Sequence, residues 1–544
     1  MTRIHQVSGG NPFYAIELAR AMDERTPGVD MSLPRTLVDV VRARIGGLDP
    51  DVHDALLAAS CMAAPTVELV STATVADDHR LVDLLENAES KGIIAIDGNR
   101  IHFAHPLLAR GVYTEAAPGQ RRSMHRRLAD IVDEPELRAR HLALAATSGD
   151  DETLRALDTA ADSARSRGAP AAAAELMDLA IGLGGDTPAR RLRSALHHFD
   201  AGDHERAAAL LEDTIKRLPP GNIRAEALSR LAVVRLYSHG FFEGPPLLQR
   251  ALGEVDENSP LRVQLLITLA YSQLHTNQAR AAIQTVENAV SDAERLGQPA
   301  LLGMALGMRA VLRFLSGQGI GDDDLRRALE LEDPEVFAPL VFRPHIQHAL
   351  LLAWSGRLAE AHDRLEAIRR RCMEKGEEGE QIFIAQHVVL TAIWRGEFVE
   401  ADLVAEDMME QARQLGGETP LFLANSKRAQ LAAYAGREAE CRRAVSNALD
   451  VGRRTGSFRL SERVVSALAF LEVSLGNYDA AIATVQPLLS TFDPASTPTE
   501  LPNAAYLPEA IEALVHVGRL HDAEPLVEAL ERNGRRVDRA WMLA

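Results

Sequence analysis

The chain of 544 residues is poor in cysteine and in aromatic residues. Its three cysteines, Cys61, Cys372 and Cys441, are odd in number and far apart, so they form neither a disulfide framework nor a zinc-type pair. Reduced thiols in a cytoplasmic protein are the plain expectation. Aromatic residues make up only 4%, and the β-branched and aromatic runs that strands favour are scarce. No apolar run approaches the roughly 20 residues of a membrane-spanning helix. Met1-Thr2-Arg3-Ile4-His5 lacks the apolar core of an export signal. No Gly-x-x-x-x-Gly-Lys-Ser/Thr occurs, so the phosphate cradle of a P-loop is missing, as is an apolar strand ending in two acids. No Ser/His/Asp or Cys/His set assembles from spacing. The expectation is a chain with no catalytic residue, no bound metal and no cofactor of its own.

What remains is helix material. The composition is 46% hydrophobic and 25% charged, rich in good helix formers, and the length suggests three or four domain-sized units. The formal net charge of -18 repels nucleic acid and anionic membrane, so any DNA contact would need a local basic face.

A fixed period organises most of the chain. Glycines at 317, 356, 396, 436, 476 and 518 are separated by 39, 40, 40, 40 and 42 residues, and Asn277 lies 40 before the first. Around them recur Ala-Gly-Asp-His-Glu-Arg-Ala (201–207), Ser-Gly-Arg-Leu-Ala-Glu-Ala (355–361), Arg-Gly-Glu-Phe-Val-Glu-Ala (395–401), Leu-Gly-Asn-Tyr-Asp-Ala-Ala (475–481) and Val-Gly-Arg-Leu-His-Asp-Ala (517–523). Each glycine ends a helix in the left-handed conformation. Five residues on stands a small side chain: Ala207, Ala282, Ala361, Ala401, Cys441, Ala481 and Ala523. There two helices approach closely, and Cys441 is a small core residue in an alanine slot. Leu358, Phe398, Tyr478 and Leu520 are expected to make an apolar contact across the turn; Trp354, Trp394 and Tyr434 are expected to fill the first helix's buried face. The copy at Gly317 departs from the pattern, with Asp322 in the small slot. These blocks resemble tetratricopeptide repeats, lengthened from the usual period of about 34 residues. About ten helix pairs are expected from residue 152 onward.

The N-terminal third differs. Asn11 suits an N-cap and Pro12 a first helical position; Leu33-Pro34 opens a helix running to Gly46-Gly47, Asp49-Pro50 the next, and another spans about 77–91. Then Ile93–Ile96, an Asp97-Gly98-Asn99 turn and Arg100–Ala104 form the clearest β-hairpin. Helices followed by one hairpin describe a winged helix. The helix before the hairpin carries Asp77, Asp78, Asp83, Glu86 and Glu89 against Arg80 and Lys91, the wrong sign for reading DNA.

Ser8-Gly-Gly-Asn-Pro-Phe-Tyr14, Leu33-Pro-Arg-Thr-Leu37 and Phe103-Ala-His-Pro-Leu-Leu-Ala-Arg-Gly-Val-Tyr113 together resemble the large LuxR-family, MalT-like signal-transduction ATPases. That resemblance implies an order of P-loop ATPase, winged helix, tetratricopeptide-like sensor and DNA-binding helix-turn-helix, of which this chain matches only the middle. It implies that Gly10, Asn11 and Pro12 lie against a nucleotide base and that His105 reaches the phosphates of ATP or ADP. Read from the residues alone, Asn11-Pro12 is an adequate helix start and His105 an ordinary cap.

The expected division is residues 1–30 as the remnant of an ATPase lid helix, 31–117 as a winged-helix domain, 118–150 as connecting helices and 151–544 as the repeat solenoid. Arg539-Ala-Trp-Met-Leu-Ala544 reads as the opening helix of a further repeat, so the chain is expected to be a split or truncated regulator.

Weaker candidates have bland readings. Arg121, Arg122, His125, Arg126 and Arg127 are the most basic run, with Arg122 and Arg126 on one face, and read first as a solvated helix surface. His345 and His348 have ligand-like spacing but no third ligand near them, and His197-His198 diverge around their helix. Glu374–Glu380 reads as a solvated loop. The expectation is an all-α, non-enzymatic sensor fragment. Its solenoid would hold a protein partner or small-molecule effector, with DNA reached only through a separate module and no membrane contact. The alternative is a stand-alone interaction scaffold.

Overall fold

A computed structural model describes residues 46, 48–74, 78–238, 240, 242–276, 278–333, 338–374, 378–415, 417–455 and 458–543. Gly10, Asn11, Pro12 and Asn277 lie outside the described residues, as does the helix expected from Leu33. The chain divides into two compact units: residues 1–163 with 176–186, and 164–175 with 187–544.

In the first unit, α1 (Pro50–Ser60) starts as expected, with the Asp49 side chain accepting from the Asp51 amide at 2.9 Å. A short helix that sequence patterning did not single out, α2 (Val67–Thr74), follows, then α3 (Asp78–Ser90). Strands β1 (Ile94–Asp97) and β2 (Arg100–Phe103) pair antiparallel in the register Ile94↔Phe103 and Asp97↔Arg100, with Gly98 at φ +60 in the turn. Helices α4 (Pro106–Glu115), α5 (Pro118–Ile131) and α6 (Pro135–Ala145) complete this stretch. Leu56, Leu81, Leu85, Ile94, Ile101 and Leu128 share one core.

A polar chain runs through that core's edge. Tyr113 Oη lies 3.1 Å from His125 Nε2, and His125 Nδ1 lies 3.0 Å from His141 Nδ1. Two arrangements satisfy both contacts: Tyr113 donates to Nε2 while the Nδ1–H of His125 donates to His141, or both bonds run the other way. In either, His125 carries one proton and is neutral, and burial lowers His141 as well. Burial, then the neighbouring His141 and Arg121, lowers His125 from 6.5 to about 4.

Helices α7 (Asp151–Ser166) and α8 (Pro170–Gly182) follow, and from residue 187 the described helices form nine consecutive pairs: α9 (Pro188–Asp200) with α10 (His204–Arg217), α11 (Asn222–Ser238) with α12 (Gly244–Leu252), α13 (Pro260–His275) with α14 (Ala279–Leu296), α15 (Pro299–Leu315) with α16 (Asp322–Glu330), α17 (Pro344–Trp354) with α18 (Leu358–Glu374), α19 (Glu378–Arg395) with α20 (Phe398–Leu415), α21 (Glu418–Tyr434) with α22 (Glu438–Thr455), α23 (Phe458–Ser474) with α24 (Tyr478–Leu489), and α26 (Leu507–His516) with α27 (Leu520–Val537). The short helices α25 (Leu501–Ala504) and α28 (Ala540–Leu543) flank the last pair. The fold is an all-α tetratricopeptide-like solenoid.

The turn chemistry is as the repeat requires. Gly356, Gly396, Gly436, Gly476 and Gly518 all have φ between +70 and +92. After each, the next amide reaches back to the same orphan carbonyl position, as in Arg357 N to Leu352 O at 2.9 Å and Arg437 N to Ala432 O at 2.8 Å. Ala207, Ala282, Ala361, Ala401, Cys441 and Ala481 are fully enclosed.

Three expectations need correction. Phe398 and Leu520 are exposed rather than packed across the turn, because their helices begin there and nothing covers the first turn's outer side. Tyr434 is also partly exposed, but its ring stacks on Phe470 with centroids 4.2 Å apart. In the Gly317 copy, Asp322 does not fill the small slot; it opens α16 on the surface, and Ala328 is buried instead.

Two predictions follow from packing and from charge. Cys441→Ala should be nearly neutral, whereas Cys441→Leu should lower stability by about 1–3 kcal/mol by overpacking; equal urea midpoints would refute the close-approach account. Because the folded His125 binds its proton only near pH 4, whereas an unfolded histidine does so near 6.5, its contribution is complete above about pH 6.5 and lost as pH falls toward 4. His125→Gln should flatten the acid limb of the stability profile relative to the parent chain, and an unchanged slope would exclude the neutral pair.

Candidate functional site

In the second unit the solenoid coils until its successive turns touch. Helix α9 meets α19, and α11 meets α21. Tyr237 donates its hydroxyl to Glu380 Oε2 at 2.8 Å, and the Leu340 amide donates to Glu380 Oε1 at 3.1 Å, so this buried carboxylate is anchored from two elements. Further on, Asn503 Nδ2 donates to the Leu315 carbonyl at 2.7 Å across 188 residues, and the Arg539 guanidinium lies 5.0 Å from the Phe314 ring centre. The inner, concave face thereby lines a partly enclosed lumen.

The helices lining it are apolar on nearly all sides, as α19 shows in Ile382-Phe383-Ile384-Ala385-Gln386-His387-Val388-Val389-Leu390. An ordinary surface helix shows a stripe; one buried on every side does not. The resulting cavity measures about 100 Å³, against the ~10–15 Å³ that a single water occupies on that measure. Leu236, Leu274, Met308, Leu350, Trp354 and Leu423 make up much of its wall.

A few polar groups interrupt the wall. Gln386, 4% exposed, and Thr419, 7% exposed, both line the cavity, and Gln386 Oε1 and Thr419 Oγ1 have no hydrogen-bond partner in the protein. Arg463 also faces the cavity. Burial, followed by the charges of Arg463 and Lys427, holds His387 well below the usual histidine range. Lys427, whose Nζ donates to Gln430 Oε1 at 2.6 Å, is held well below the usual lysine range by burial and by Arg463. An apolar chamber with a few oriented polar groups is the general form of a small-ligand site.

A second, more open space of about 660 Å³ adjoins the lumen, sharing His204 and Leu415 as wall. Its rim carries Asp203, Glu205, Asp407, Glu410 and Glu418.

Sequence-derived candidates fare unevenly. His105 caps α4, its Nδ1 accepting from the Leu107 amide at 3.2 Å. The basic run divides: His125 is buried, Arg127 donates to Asp54 at 3.1 Å and to the Ala73 carbonyl at 2.8 Å, and Arg121 lies over the Tyr113 ring, leaving Arg122 and Arg126 exposed. His345 pairs with Glu332, and the described residues bring no third ligand to His345 and His348. His197 is buried, and His198 instead faces Asp203 at 3.3 Å. One set that spacing did not suggest is His362, Glu397 and Glu400, whose ligand atoms lie within 4.8 Å of one another. Its members already have ordinary partners: His362 Nε2 is 3.3 Å from Glu400, and Arg395 is 2.8 Å from Glu397. The lumen residues were missed, although a polar Gln386-His387 pair within an apolar run was a readable signal.

No family model matches the chain, and no curated protein matches it. Among solved structures, it is similar to a signal-transduction ATPase with numerous domains and a tetratricopeptide repeat sensor from Pyrococcus horikoshii, at 12% identity over 83% of this chain and 68% of that one, with a TM-score of 0.30. A Rap protein complexed with competence and sporulation factor matches at 11% identity over 64% and 99%, with a TM-score of 0.46. Yeast Tom70 matches at 14% over 72% and 87%, with a TM-score of 0.31. No residue role passes from them to this chain.

Tyr237→Phe tests the seam that closes the lumen. Leaving the buried Glu380 carboxylate short of a donor should cost about 1–3 kcal/mol and speed amide exchange in α11 and α19. Parent-like exchange there would mean that the contact does not hold the turns together.

Proposed function

We propose that this chain is the non-enzymatic sensor portion of a LuxR-family, ATP-dependent transcriptional regulator, and that the solenoid lumen is its effector site. The observation that carries the reading is the partly enclosed apolar cavity with Gln386 Oε1 and Thr419 Oγ1 left without protein partners. A surface built only to grip other proteins has no need of an interior chamber.

The motifs resembling that family extend the reading to the first unit. Residues 31–117 are proposed to be a winged-helix domain, 118–150 connecting helices and 151–544 the sensor arm, with 1–30 derived from an ATPase lid. In this scheme effector occupancy changes how tightly the superhelical turns meet, and the winged helix passes that change to a nucleotide module. Any contact of Gly10, Asn11, Pro12 and His105 with ATP or ADP belongs to that module and requires it. DNA binding would belong to a separate helix-turn-helix. No helix among the described residues is long and apolar enough to cross a membrane, in keeping with a cytoplasmic regulator. The alternative is a stand-alone scaffold that binds proteins on its outer surface, favoured by exposed Val399 and Leu403, one helical turn apart on α20.

A thermal-shift screen of metabolites separates the two readings. At least one compound should raise the melting temperature of the parent chain by a few degrees at ~100-fold excess over its Kd and have no effect on a folded Gln386→Trp variant with a filled lumen. Compounds that stabilise both proteins equally would remove the lumen from consideration. Magnesium-ATP should shift neither; a tight magnesium-dependent shift would overturn the non-enzymatic assignment.

A further inference from the structure

The seam between superhelical turns follows a fixed step. Helix α9 meets α19 and α11 meets α21, so each of these pairs touches the one five pairs further on. For α15 the same step leads to α26 and α27, with the short helices α25 and α28 beside them. Polar contacts make this junction. Asn503 of α25 donates to the Leu315 carbonyl at 2.7 Å, one of the acceptors that the end of α15 leaves open. The Arg539 guanidinium lies over the Phe314 ring. A Cβ on Gly317 would stand 2.7 Å from Arg536 Nη2 and 3.6 Å from Pro498 Cβ, so the turn after α15 also abuts these elements.

This end of the solenoid has a core of its own. Ala504, Leu507, Leu514, Leu526 and Met542 pack together, apart from the core that contains Phe314 and Leu315. Helix α23 serves both, with Ala469 in one and Ala467 and Leu471 in the other. The buried part of the junction is incompletely paired. Arg539 Nε donates to Glu500 Oε2 at 3.2 Å, yet Glu500 Oε1 and Arg539 Nη2 have no partner in the protein. Such a pair gives little net stability, because desolvation offsets most of the attraction. Separating a polar junction exposes little apolar surface, which lets it open at a cost well below that of unfolding.

Both sides of the junction belong to the lumen wall, Leu315 from α15 and Pro502 from α25. We propose that α25 to α28 form a flap hinged where it packs on α23 and α24, and that its separation from α15 is the route into the lumen. This inference rests on the lumen being an effector site and adds how that site is reached.

Thiol labelling of the full chain tests the route without any ligand. Met308, 1% exposed, lines the lumen, so Met308→Cys places a reactive group inside it. Cys372, also 1% exposed, stands on α18 away from the lumen wall and reports general loosening. Adding Asn503→Ala should speed iodoacetamide modification of the introduced thiol about fivefold, as loss of one net hydrogen bond permits. Cys372 should keep its rate, and amide exchange should rise in α25 to α28 but not in α11. Equal acceleration at both thiols would mean that the whole solenoid loosens, and an unchanged rate at the introduced thiol would place the entrance elsewhere. Either result overturns the flap. Neither bears on whether the lumen binds a metabolite, which the thermal-shift screen decides separately.

Discussion

How closely two helices pack at a methyl-sized side chain sets the geometry of everything after residue 187. Ala361, Ala401, Cys441 and Ala481 let each helix pair approach until the backbones almost touch, and a left-handed glycine five residues earlier turns the chain tightly enough to permit it. Repeated every forty residues or so, a small fixed rotation per pair accumulates into a superhelix. In this chain the accumulation carries α21 back against α11 and α19 against α9, and Tyr237 of α11 bonds the buried Glu380 of α19. Change the size of one small residue and the rotation per pair changes with it, so the seam and the lumen depend on a row of alanines that touch neither.

Closure turns a surface into an interior, and that alters the chemistry available. On an open concave face Gln386 and His387 would be solvated. Enclosed, His387 is driven toward its neutral form, and Gln386 Oε1 and Thr419 Oγ1 lose water without gaining protein partners. Polar groups left in that condition destabilise the empty protein, and a ligand that satisfies them recovers what they lost. On the proposed reading, ligand occupancy would couple to the stability of the solenoid's closing contacts, as a sensor arm requires.

Much of this architecture was legible residue by residue. The glycine period gave the helix pairs and their turns; the small residue five places on marked the close contacts, Cys441 included; Asp97-Gly98-Asn99 located the hairpin. The errors are physical ones. Phe398 and Leu520 are apolar but stand in the first turn of a helix with no element outside them, so apolarity alone did not bury them. His125 stands in a run of arginines yet points inward to His141, because a helix sends neighbouring residues in different directions.

Sequence determined the elements, their pairing with neighbours and the identity of the capping and close-approach residues, because these depend on interactions within about forty positions. It also carried the motifs behind the regulator reading. Only the tertiary structure decided that the coil closes, that Tyr237 meets Glu380 and Asn503 meets Leu315, and that Arg463, Gln386 and Thr419 face one chamber beside an acidic mouth. Those pairings join positions 143 and 188 residues apart. They arise from a rotation summed over several repeats, and no single repeat contains that sum.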